Sequence, residues 1–118
     1  MSNARDIASL LTKEAVFNKR VSEEATSLTG TSIDWSIGGV YYKSISGATT
    51  LTDSNLPSSG QTQTIELELD WSTGTVTFPA AWDWGDAGVP ALTAGKNRIL
   101  ATCRDGSNIE AVFIGGGF

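Results

Sequence analysis

Glu66, Glu68 and Asp70 alternate with Ile65, Leu67, Leu69 and Trp71. In an extended strand such carboxylates share one face at spacings of about 7 Å, a separation compatible with the paired acids of glycoside hydrolysis or with part of a calcium site. No Gly-centred calcium loop accompanies them and no candidate base stands nearby, so the better reading is a solvent-facing strand whose charges discourage edge-to-edge pairing. Other chemistries lack their reagents. The chain contains no histidine and a single cysteine, Cys103, which removes zinc clusters, Ser–His catalysis and intrachain disulfides. Cys103 follows Ile99-Leu100-Ala101-Thr102 and reads as a small core residue. Gly115-Gly116-Gly117 has neither a lysine nor a following helix, so it does not make a phosphate cradle. No cofactor is expected, and the chain reads as a non-enzyme.

The remaining candidates are aromatic. Trp71, Phe78, Trp82 and Trp84 lie close together in sequence, and Asp83 and Asp86 flank the last two. Indole faces stack on sugar rings, and buried indoles also dominate small cores and subunit interfaces. Trp71 falls on the apolar face of its strand. Trp82 and Trp84 are assigned to core or intersubunit packing ahead of ligand stacking, with Phe118 beside them as a third packing residue.

The elements that must carry these residues are mostly strands. The 118 residues suit one domain, and thirteen glycines with abundant Ser and Thr imply many turns. Residues 3 to about 17 predict a helix, with Asn3 as N-cap and Ile7, Leu10, Leu11 and Ala15 forming one apolar stripe. A helix this short must dock or bundle. The polar run from Asn18 to Ser32 reads as an arm, placing an anchor over 1–31 and a β domain over 32–118. Ile33, Trp35 and Ile37 predict one face of a strand, followed by Val40–Ile45, a long loop from Ser46 to Gly60, and the strand bearing Glu66, Glu68 and Asp70. Ser72-Thr73-Gly74 predicts a hairpin into Val76-Thr77-Phe78, and Arg104-Asp105-Gly106-Ser107 a second one between Asn97–Cys103 and Asn108–Ile114. Antiparallel connections of this kind predict a small sandwich or jelly-roll-like domain.

The formal net charge is -5, which disfavours nucleic acid and anionic membranes as partners. Four of the 8 basic residues, Arg5, Lys13, Lys19 and Arg20, crowd the amino-terminal end. No stretch is long and apolar enough for membrane insertion, and the polar opening predicts synthesis and folding in a cytoplasm.

Several stretches together carry a family likeness. Val76-Thr77-Phe78-Pro79, Trp82, Trp84-Gly85, Val89-Pro90-Ala91-Leu92-Thr93-Ala94-Gly95-Lys96, Ile99–Thr102, Asp105-Gly106 and the Gly-rich end closing on Phe118 resemble the C-terminal β domain of tailed-phage structural proteins. That domain occurs in tail-fibre and appendage proteins of aquatic phages. The opening Met-Ser-Asn-Ala-Arg-Asp-Ile-Ala-Ser-Leu-Leu is similar to the start of such proteins. The likeness covers roughly half the chain and departs from the family pattern at Ile109–Ile114 and at Trp82-Asp83-Trp84-Gly85-Asp86. It implies a virion component made in the host cytoplasm, usually a homotrimer: a short fibre, spike or capsid-decorating knob contacting other capsid or tail proteins. Ile7, Leu10 and Leu11 would then anchor it in the particle, with the β domain outward and aiding host attachment. The alternatives are a glycan-binding module that holds host surface glycans at the Trp82–Trp84 loop, and a glycan-active enzyme using Glu66, Glu68 or Asp70.

Overall fold

The structure, a computed structural model, describes residues 24–118. Its organising strand is β6 (Gln63–Trp71), where Ile65, Leu67 and Leu69 are fully buried and the acids between them face outward. β6 pairs antiparallel with β9 (Gly95–Cys103), which turns Asn97, Ile99, Ala101 and Cys103 into the same core. β9 pairs antiparallel with β10 (Ile109–Gly115), so that Ala101 stands between Ile65 and Ala111. This hairpin is the one expected about Arg104–Ser107. Asp105 Oδ1 closes it by accepting hydrogen bonds from the backbone N–H groups of Ser107 (3.0 Å) and Asn108 (2.8 Å). Each buried Leu or Ile contributes about 1.5–3 kcal/mol, and the alternation that places them also leaves one polar face.

The other pairings are parallel. β1 (Thr26–Ser27) lies beside β3 (Val40–Ile45), and β3 beside β6, giving the six-stranded order β1-β3-β6-β9-β10-β8 with β8 (Trp82–Asp83) at the far edge. Two small parallel sheets pair β2 (Ser32–Asp34) with β5 (Thr52–Ser54), and β4 (Thr49–Thr50) with β7 (Val76–Thr77). The chain therefore coils: β1, β3 and β6 are successive passes through one sheet, and the segments between them stack in the small sheets. Ile33 and Leu51 from those segments join Tyr41, Ile45 and Leu67 in one core.

The fold is thus mostly β, as expected, but the sheet is mixed, and among the described residues only β6–β9 and β9–β10 are antiparallel. Three local expectations change with it. The predicted loop 46–60 contains β4 and β5, because Leu51 is drawn into the core. Ser72-Thr73-Gly74 does not fold β7 back on β6. Gly74, at φ 102°, presses against the Gly47 backbone and sends the chain across to β4. Of the predicted Ile33–Trp35–Ile37 face only the first two are buried. β2 ends at Asp34, whose carboxylate accepts from the Ser36 N–H, and Ile37 is turned out to 60% exposure.

The boundary between arm and domain also moves. Thr26–Ser27 is already paired in the large sheet and Leu28 is buried, so the β domain begins before residue 32. The predicted helix with Ile7, Leu10 and Leu11 lies outside the described residues.

Candidate interaction surfaces

Trp82 and Trp84 do not form an exposed platform. Phe78 stacks on Trp82 with ring centroids 5.7 Å apart and meets Trp84 edge-on at 4.9 Å, and all three side chains are buried. The cluster is held by a residue the sequence reading passed over. Asp53, on β5, accepts a hydrogen bond from Trp35 Nε1 on Oδ1 (2.9 Å) and from Trp82 Nε1 on Oδ2 (2.9 Å). One carboxylate thereby satisfies two buried indoles from distant parts of the chain. Burial pushes the Asp53 carboxyl above the usual carboxylate range, opposed by the two indole N–H groups.

The acids of β6 gain a partner invisible to strand periodicity. Arg98, in register with Glu68 on β9, places its guanidinium 2.9 Å from Glu66 and 3.1 Å from Glu68. A cation between two carboxylates offsets part of their mutual repulsion and ties β6 to β9 across the outer face. Asp70 lies farther along the strand, opposite Lys96.

Beside these ion pairs the otherwise polar outer face of the large sheet also carries exposed apolar side chains. Val40, Glu66, Leu100 and Val112 form one cross-strand row. Tyr42, Glu68 and Arg98 form the next. Val112 is 59% exposed, Ile114 49%, Tyr42 42% and Leu100 38%. Scattered exposed apolar residues need no explanation, whereas neighbours such as Leu100 and Val112, paired across β9 and β10, make a candidate interaction surface.

Phe118 belongs to the same side of the molecule. Its backbone exchanges hydrogen bonds with Lys96 (3.2 and 3.4 Å), its ring lies 5.8 Å from the Arg98 guanidinium carbon, and it is 64% exposed. The tail leading to it packs on the turn before β9. Asn97, fully buried, accepts from the Thr93 N–H (3.0 Å) and donates to the carbonyls of Thr93 (2.9 Å), Gly95 (3.0 Å) and Leu69 (3.2 Å). A Cβ at Gly116 would overlap the Asn97 and Thr93 side chains. The Pro90–Lys96 turn and the Gly-rich end are therefore a single structural unit with Asn97 at its centre.

A second surface lies at the β8 edge. β8 covers β10 only at Ile109 and Glu110, and among the described residues no strand flanks β10 on that side from Ala111 onward. Two adjoining clefts of about 370 and 280 Å³ follow this open edge. Asp83, Gly85 and Glu110 line the first, Ala87, Pro90 and Phe113 the second, and Trp84, Ala111 and Val112 are common to both.

Set beside known proteins, the chain matches no family model, no curated protein and no solved structure. No helix among the described residues is long and apolar enough to cross a membrane.

Proposed function

We propose that the chain works by assembly: a virion structural protein of a tailed phage, a homotrimeric short fibre, spike or capsid-decorating knob with its amino-terminal region inward and its β domain outward. The observation that carries the assembly reading is the outer sheet face, where Tyr42, Leu100, Val112 and Ile114 stand exposed around the Glu66–Arg98–Glu68 ion pairs. A second copy would cover this apolar surface. The phage assignment rests on the resemblance alone.

The glycan-binding alternative draws less support, since Trp82 and Trp84 spend their faces on each other and on Phe78.

Light scattering across a concentration series tests the reading. A mass three times that of the 12.4 kDa chain is expected. Leu100→Glu combined with Val112→Glu is expected to yield monomers with an unchanged far-ultraviolet spectrum. A wild-type chain that stays monomeric at the highest concentrations overturns the proposal.

A further inference from the structure

The open edge of β10 is a place where an extended segment can add as a strand. We propose that this segment is residues 18–23 of a neighbouring copy, so that subunits exchange their arms. The inference rests on the assembly reading and specifies one of its contacts.

Three observations lead to it. The first is backbone chemistry. The Ile109 N–H points toward the β8 side, where it donates to the Ala81 carbonyl at 3.2 Å. By strand alternation, the Ala111 and Phe113 peptide groups point the same way. β8 ends at Asp83, so among the described residues no neighbouring strand meets the Phe113 groups. An edge of this kind accepts an added strand through main-chain hydrogen bonds, with adjacent clefts reading its side chains.

The second is charge. Residues 24–118 hold all but three of the 13 acidic residues but only four of the 8 basic ones, Lys43, Lys96, Arg98 and Arg104. Asp83 and Glu110 line the groove, and Asp86 lies in the turn between its lining residues Gly85 and Ala87. Arg104 reaches Glu110 at 3.5 Å, whereas among the described residues no cation pairs with Asp83 or Asp86, and Asp83 accepts only from the Gly85 N–H. Asn18-Lys19-Arg20-Val21-Ser22-Glu23 brings two adjacent cations on a polar, glycine-free run suited to an extended strand. Lys19 and Val21 are two residues apart, as are Glu110 and Val112, so both pairs present a charge and a valine on one face.

The third is reach, and it selects the donor. β1 and the open edge lie on opposite sides of the large sheet, and a strand added beyond β10 would stand five strand positions from β1. At about 4.8 Å per position that distance is about 24 Å. Glu23 is three residues from Thr26 in β1, a chain length of about 11 Å even fully extended. A subunit cannot lay its own arm along its own β10 edge. The arm must come from another copy.

The test uses the full-length chain with a photoreactive phenylalanine at the exposed position Ala87, prepared as an equal mixture of light and heavy-isotope protein. Mass spectrometry is expected to find mixed-isotope crosslinks from Ala87 to residues 18–23. Crosslinks to the outer sheet face of another copy, crosslinks within single chains, or no crosslinks would each overturn arm exchange while leaving an assembled protein. A monomeric mass would overturn the assembly reading with it. A second measurement avoids the probe. Lys19→Glu with Arg20→Glu is expected to raise the subunit dissociation constant at least tenfold, and Asp86→Lys with Glu110→Lys to restore it. A change below twofold in the arm variant counts against the proposal.

Discussion

Asp53 shows how one side chain can decide whether an aromatic cluster is architecture or binding site. Its carboxylate joins Trp35 to Trp82, and removing it leaves two indole N–H groups inside the protein without acceptors. Asp53→Ala is therefore expected to cost about 2–4 kcal/mol in urea unfolding. Asp53→Asn should recover only part of this, because its amide N–H₂ would oppose one indole N–H. The same residue gives a pH signature. Burial raises the carboxyl in the folded state, so its contribution to stability is fully present below the unfolded value of 3.8 and is lost as pH rises through the folded value. Asp34 and Asp105 behave oppositely. The Ser36 hydroxyl lowers Asp34, with help from Asn55, and the backbone N–H groups of Asn108 and Ser107 lower Asp105. Their contributions are present above 3.8 and disappear as pH falls through their folded values. Carboxyl-carbon NMR titration should place Asp53 above the ordinary aspartate range and the other two below it.

At the scale of elements, two glycines and an asparagine fix the routing of the chain. Gly74→Ala combines a left-handed backbone position, φ 102°, with overlap against Gly47. Its expected cost is about 2 kcal/mol or more, read by thermal or urea unfolding. Asn97→Ala strands the Thr93 N–H and three carbonyls, and should cost about 2–3 kcal/mol while loosening the tail, which amide exchange at Lys96 and Phe118 would register. Gly116→Ala is expected to loosen the same hydrogen bonds from the other side. These residues also show what the sequence could disclose. Alternation announced β6, β9 and the β9–β10 hairpin, since burying Ile65, Leu67, Leu69, Ile99 and Ala101 requires the period the sequence displays. It could not name partners. A parallel and an antiparallel strand have the same inside and outside, and Ser72-Thr73-Gly74 marks a turn without saying whether the chain returns to its own strand or crosses to β4. Asn97 and Asp53 were illegible for a related reason. Their partners lie 28 and 29 residues away at Leu69 and Trp82, distances that no local pattern records.

For the whole molecule, the layout of the large sheet sets how copies can meet. The chain enters at β1 on one edge and leaves an open groove at the other. A contact joining unlike edges is head-to-tail, closing into a ring when successive rotations sum to a full turn and otherwise growing as a filament. The predicted trimer corresponds to a rotation of a third of a turn, so electron microscopy of concentrated protein should show closed rings, and long filaments would contradict it. The exposed apolar residues of the outer face and the groove share Val112, so the two proposed contacts would adjoin. A different consequence follows from Cys103, the only thiol in the chain, buried on β9 where Gln63 flanks it on one side and Ile109 on the other. A thiol-reactive dye can reach it only when the core around the end of β9 opens. Its labelling rate is thus a built-in clock for that opening, and assembly that braces this part of the core will slow that clock in proportion to the fraction of subunits engaged.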